Sequence, residues 1–209
     1  MSEPLRDPPG TQPPAGLASA LPRREAGTRS RAGNAMARTR AGLLDGALRA
    51  VAKQGTRRTT MNDIATQAGV AKATLYNHFR TKDDVWSALV LAEVDDLATQ
   101  CADLPLADAL AHAATRLSQH PALRQVADTE PAVLAGLLPT DPPAPGWRAA
   151  ADALHRRFAN ANANGSEPDG RAAADTELVL RWLASYLSRP AGPDAIRAVA
   201  GRLAAVLAR

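Results

Sequence analysis

Tyr76, Asn77 and His78, with Lys72, Thr74 and Lys82 around them, place a phenol, an amide, an imidazole, a hydroxyl and two ammonium groups within eleven residues. That mixture suits recognition of a polyanion with a readable face. An asparagine amide pairs bidentately with adenine and a lysine donates to guanine acceptors, so Asn77 and Lys72 are the candidates for base edges. Ala71 and Ala73 are small enough to lie against a thymine methyl. Thr74 and Lys82 offer a hydroxyl and a cation to phosphate oxygens, contacts that position a protein without reading sequence. Lys82 opens a helix, where a cation opposes the macrodipole; the placement makes sense if it and nearby amides hold a phosphate oxygen. Thr66 and Gln67, just upstream, are placed to reach the same backbone.

The elements that must hold these groups are legible in the pattern. Thr60 precedes an apolar-periodic run and suits an N-cap. Met61, Ile64, Ala65 and Ala68 follow at spacings of three and four, one face of a short helix. Gly69 comes after the last periodic residue, where helices often end in a left-handed conformation, and Val70 plugs the turn. A second helix starts near Lys72, with Leu75 and Phe79 four apart on its inward face. Two short helices around a Gly-containing turn make a helix-turn-helix unit, whose second helix enters the major groove. An amphipathic helix over Ala37–Gln54 precedes them, with Leu43, Leu44, Ala47, Leu48 and Val51 buried, Gly55 at its end, and Arg38 and Arg40 near phosphates at its start. Thr81 and Asp84 form a short capping box for the next helix, whose apolar face runs through Trp86, Leu89, Val90, Val94 and Leu97.

Through Thr60, Ile64, Ala65, Ala68, Gly69, Val70, Thr74, Leu75, Tyr76, His78, Phe79 and Lys82 the chain resembles the TetR family of bacterial transcriptional regulators. The resemblance extends back through the helix at 37–54 and forward into the one beginning at Lys82. There are two departures: Ala71 stands where the family usually has Ser, and Ala73 where Gly is frequent. Losing the serine removes a cap worth about 1 kcal/mol. The resemblance implies that Tyr76 and His78 contact phosphates. Beyond about residue 100 it is architectural only.

Charge is split along the chain. Residues 23–82 carry 13 Lys or Arg against 3 acids, whereas residues 83–209 carry 11 basic and 16 acidic side chains. Only the N-terminal part attracts phosphates strongly. Hydrophobic residues reach 45%, mostly Ala, Leu and Val, with aromatics at 3%, which favours helix. No apolar stretch is long enough to cross a bilayer, and no signal peptide is visible. A single cysteine, Cys101, excludes an internal disulfide framework and fits a reducing cytoplasm.

These features predict an all-α chain in three parts. Residues 1–36 form a Pro-rich tail without regular structure, ending in Arg23, Arg24, Arg29 and Arg31; it is either an arm along DNA or an extension without a role. Residues 37–83 form a three-helix DNA-binding domain, and residues 84–209 a helical regulatory and dimerisation domain. Helical patches fall at 104–119, 121–138 with a break near Pro131, 146–163, 169–188 and 193–208. The last two carry broad apolar stripes, and by resemblance they form a four-helix interface with a twin subunit through Leu178, Trp182, Tyr186, Ile196, Val199, Leu203 and Val206. The resemblance also implies a small-molecule cavity in the second domain. Trp86, His112, Trp147, His155 and Phe158 are candidate lining groups, and the wealth of Ala, Leu and Val suggests an apolar effector.

Enzymatic readings find little support. His78, His112, His120 and His155 lack metal-ligand spacing, and no nucleophile elbow, phosphate loop or dinucleotide fingerprint is present, so no cofactor, metal or catalytic residue is expected. The expectation is a cytoplasmic homodimeric regulator, by family resemblance a repressor, that binds a palindromic operator in double-stranded DNA and answers to an effector. The alternatives are an architectural protein that binds DNA without sequence choice and an enzyme using the second domain's cavity.

Overall fold

The computed structural model describes residues 25–135, 144–161 and 169–208. The described elements are helices: α1 (Glu25–Arg58), α2 (Met61–Ala68), α3 (Lys72–His78), α4 (Lys82–Cys101), α5 (Leu106–Gln119), α6 (Pro121–Thr129), α7 (Pro131–Ala135), α8 (Pro145–Ala161), α9 (Asp169–Ser188) and α10 (Pro193–Leu207). No strand occurs among the described residues. The chain divides into two units, Met1–Ala37 and Arg38–Arg209. Within the first, the backbone is helical from Glu25, so helix begins well before Ala37, where the apolar periodicity starts. The stretch 25–36 contains no proline, and the six tail prolines all precede it. Residues 1–24, 136–143 and 162–168 lie outside the described residues, and with them most of the expected tail and the ends of the helical patches expected at 121–138 and 146–163.

Three apolar contacts organise the second unit. Leu43, Leu44 and Ala47 of α1 bury against Ile64 and Ala65 of α2, Leu75 of α3, Phe79, and Val85 and Ala88 of α4. This is the core of the three-helix head, completed by Val70 under the turn and by Trp86. Val51, farther along α1, packs with Ala122 and Val126 of α6 and Leu134 of α7. Leu110 of α5, Phe158 of α8, Ala172 and Val179 of α9, and Ala200, Ala204 and Leu207 of α10 form the core of the C-terminal bundle. Pro131 breaks the 121–138 patch at the expected place, because a proline inside a helix loses an amide donor and clashes with the preceding turn.

Helix ends are set by side chains as read from sequence. Thr60 Oγ1 accepts from the Asp63 amide at 3.2 Å and the Asp63 carboxylate accepts from the Thr60 amide at 2.9 Å. Thr81 and Asp84 repeat the arrangement at α4, at 3.1 and 2.9 Å. Ala71, at the start of α3, makes no side-chain cap, the loss anticipated from the missing serine. Both box carboxylates are held below the ordinary aspartate range, chiefly by the threonine hydroxyl and amide at each box.

Helices α1 and α2 approach closely at Gly46. A Cβ on Gly46 would come within 2.7 Å of the Ala68 Cβ and amide nitrogen. Arg49, one turn on, donates to the Gln67 carbonyl at 2.6 Å and so satisfies an orphan acceptor at the end of α2.

Two predictions follow from this head. Gly46→Ala should destabilise the protein by about 1–3 kcal/mol, because backbone must move to admit the methyl. Gly42→Ala, which meets nothing within 4 Å, should be neutral or stabilise by up to about 1 kcal/mol, since alanine orders more cheaply in a helix. Thermal melts of both variants check this; equal effects would show that α1 and α2 do not cross here. Because the folded pKa values of Asp63 and Asp84 are depressed, their contribution is fully present above the unfolded pKa and is lost as pH falls through the folded value. The melting temperature should therefore drop below about pH 4, and an Asp63→Asn/Asp84→Asn double variant should start lower and show a shallower acid dependence.

Candidate nucleic-acid interface

The chain between α2 and α3 is a closed turn. Gly69 adopts φ 68°, ψ 29°, a left-handed conformation cheap only for glycine. Its amide donates to the Thr66 carbonyl at 3.1 Å, and the Val70 amide donates to the Ala65 carbonyl at 3.0 Å. That pair of bonds is the Schellman arrangement, with Val70 supplying the accompanying apolar contact. The turn fixes the angle at which α3 leaves α2.

Helix α3 has seven residues, too few to persist alone in water, so burial of one side must hold it. Leu75 is fully buried and Phe79 is 5% exposed. Their positions dictate what the other side presents. Tyr76 is 44% exposed, and Lys72, Ala73 and Asn77 are exposed beside it. Thr74 and His78 are half-buried at the margins of this face. Lys72 Nζ lies 5.8 Å from the centre of the Tyr76 ring, a cation–π spacing that keeps the ammonium on the exposed side. The His78 ring leans on Phe79, with centroids 6.5 Å apart. Arg38 and Arg40 of α1 are exposed, and the Arg40 guanidinium sits over the Phe79 ring at 5.0 Å. Thr60 is exposed, though its hydroxyl is used by the Asp63 box.

Lys82, expected at a phosphate, has an acceptor within the chain for one of its three ammonium donors. Its ammonium donates to the Thr56 carbonyl at 3.1 Å and the residue is half-buried. An intramolecular acceptor offsets the unfavourable helix-start position. Arg49 at the end of α2 and Gly46 at the helix crossing are positions the sequence pattern does not single out for the site. Only Gly46 left a signal there: an isolated glycine inside an apolar helical pattern often marks a close approach.

In the C-terminal bundle the candidate residues separate. Phe158 is buried in the α5–α8–α9–α10 core, and Trp86 packs where the head core meets the α6–α7 cluster. Trp147 and His155 are half-buried on α8. The His112 ring is engaged with Gln100 at 2.8 Å, on the α4–α5 surface. Among the interface candidates, Leu178, Val199 and Val206 are exposed by 45%, 43% and 60%, while Trp182 and Leu203 are half-buried along the bundle core. Tyr186 and Ile196 are corrected: they pack with Ala114 inside the subunit, Ile196 with no exposed surface. A stripe read from sequence cannot say which of its edges the subunit itself covers. Among the described residues no group of three or more His, Cys, Asp or Glu could hold a metal ion, and no helix is long and apolar enough to cross a membrane.

Known proteins share this head. The family model for bacterial regulatory proteins, tetR family, matches residues 43–89. The HTH-type transcriptional regulator TtgR of Pseudomonas putida is 44% identical over 52 residues, covering 25% of each chain. The HTH-type transcriptional repressor KstR2 of Rhodococcus jostii is 40% identical over 55 residues, 26% of this chain and 27% of that one. The chain thus matches about a quarter of the length of these curated relatives. Among solved structures, the TetR family repressor AlkX from Dietzia sp. superposes with a TM-score of 0.61 at 20% identity, covering 80% of this chain and 94% of that one. FadR from Bacillus subtilis, solved in complex with stearoyl-CoA, gives a TM-score of 0.52 at 15% identity over 80% and 97% of the two chains. At such identities the likeness is one of fold. The curated relatives are named as transcriptional regulators, and the family model spans the helices that present Tyr76 and Asn77. Over residues 43–89, the stretch that carries α3, the chain is similar to the bacterial regulatory proteins of the tetR family.

Proposed function

We propose that the protein is a homodimeric, effector-responsive repressor that binds a palindromic operator through one α3 per subunit. The observation that carries this reading is the two-sided α3: Leu75 and Phe79 buried, Tyr76 and Asn77 turned out, within a segment rich in Lys and Arg. In the major groove, Asn77 and Lys72 read base edges and Ala73 lies against a thymine methyl. Tyr76, Thr74, His78, Thr60, Arg38 and Arg40 hold the backbone on either side. Lys82 contributes by fixing the Thr56 carbonyl rather than by touching phosphate first.

Dimerisation uses the outer faces of α9 and α10, where Leu178, Val199 and Val206 leave apolar surface uncovered within the subunit. Two-fold pairing of the subunits is what makes a palindromic site the natural target. The effector is apolar and binds within the C-terminal bundle; the long alkyl chain of the stearoyl-CoA in the Bacillus subtilis FadR structure supports this class. It acts by favouring a conformer whose two heads no longer match the half-site spacing.

Two substitutions separate positioning from reading on a duplex that the parent protein selects from genomic fragments. Tyr76→Ala should weaken binding to selected and random duplexes together and reduce the salt slope by about one phosphate's share. Asn77→Ala should cost about 1–3 kcal/mol at one base position and relax preference there. Parent-like binding by both variants would remove α3 from the interface. Equal affinity of the parent for selected and random duplexes would favour an architectural protein instead. For assembly, Val206→Glu should shift the sedimenting species from dimer to monomer without unfolding it; an unaltered dimer would exclude the α10 face.

A further inference from the structure

Helix α1 does not run smoothly to its end. Gly55 takes φ 80°, ψ 174°, and the turn after it points the Thr56 and Arg57 donors towards the α6–α7 junction. Glu130, the last residue before Pro131, waits there, 6% exposed. Its Oε1 accepts from the Arg57 amide at 3.0 Å, and its Oε2 accepts from the Thr56 hydroxyl. A Cβ at Gly55 would lie 2.5 Å from that same Oε1, so glycine is required by the backbone angle and by the approach of the carboxylate. Burial alone would push the Glu130 carboxyl up, but the donors from Thr56 and Arg57 outweigh it and hold the group below its usual range. Around the break, the buried Thr59 hydroxyl donates to the Gly55 carbonyl at 2.6 Å.

The other side of the same Thr56 residue faces the DNA head. Its carbonyl accepts from Lys82 Nζ at 3.1 Å, and Lys82 opens α4 four residues after His78 closes α3. One residue of α1 is therefore held between a carboxylate from α6–α7 and an ammonium from the frame of the recognition helix. A buried charged acceptor with several donors favours one geometry over its neighbours.

We infer that Glu130 is a positioning residue for α3: through Thr56 and Lys82 it fixes the recognition helix to the α6–α7 junction, so that movement of this junction reaches the DNA-reading face. The inference rests on α3 being that face. It assigns a function to Glu130 and to the left-handed Gly55, neither of which touches DNA.

The test uses the full chain and two variants, Glu130→Ala and the near-isosteric Glu130→Gln, the second serving if the first does not fold. In the absence of DNA, hydrogen exchange should accelerate in peptides covering 55–60 and also 72–82, while those from α5 and α10 remain as in the parent. On a duplex selected by the parent, Glu130→Ala should bind about tenfold more weakly, within the usual range of coupling between sites. Its salt slope should be unchanged, because no phosphate contact is lost. Glu130→Gln should fall between Glu130→Ala and the parent. Faster exchange confined to 55–60 and 121–135, or an affinity equal to the parent's, would overturn the inference. If the parent selects no duplex, the DNA reading fails, and the exchange data still decide whether Glu130 holds α3.

Discussion

A seven-residue helix has no stability of its own, so everything this protein offers to a partner at α3 depends on one buried contact. Leu75, with Phe79 beside it, is inserted among Leu43, Ala47, Ile64 and Val85. Burying a leucine side chain is worth about 1.5–3 kcal/mol, comparable to the cost of ordering a few of the residues around it. The Gly69 turn adds direction to that anchor. Together they leave Tyr76 and Asn77 no choice of side. The polar face is thus a by-product of packing, and it is rigid because the packing is.

The same logic separates the chain's two apolar bodies. The head is built from α1 to α4 and the bundle from α5, α8, α9 and α10, with α6 and α7 packed on α1 through Val51. Arginines tie carbonyl ends across these helices. Arg157 donates to the Cys101 carbonyl at 2.7 Å at the close of α4, and Arg124 donates to the Leu187 carbonyl at 2.8 Å at the close of α9. Such contacts satisfy acceptors that a helix end otherwise leaves open. They bring long-range order to a chain whose few aromatics cannot supply it by bulk.

What could be read from sequence was what is local. The Thr60 cap, Thr81 with Asp84, Gly69, and the break at Pro131 each depend on residues within four positions of one another, and each took the expected form. Outward placement of Tyr76 and Asn77 was legible because Leu75 and Phe79 fix the phase of the helix. The failures are non-local. Lys82 reads as a cation at a helix start facing phosphate, and only the fold brings the Thr56 carbonyl, 26 positions away, beside it. Glu130 carries no local signal, since nothing near it in sequence announces the Arg57 amide. Ile196 and Tyr186 look like any other members of an apolar stripe, and only packing against Ala114 distinguishes them from Val199 and Val206. The helical start at Glu25 leaves a weaker trace for a different reason: before Met36 that stretch has only alanines as apolar residues, too few to mark a face.

The central claim, that the exposed face of α3 lies against base edges, is tested most directly by photo-cross-linking from single positions in the full chain bound to a selected duplex. A photoreactive residue at position 77 should cross-link to a base near the centre of a half-site, and one at position 208, at the end of α10, should give none. A complex that forms fully yet yields no base adduct from position 77 would contradict the account.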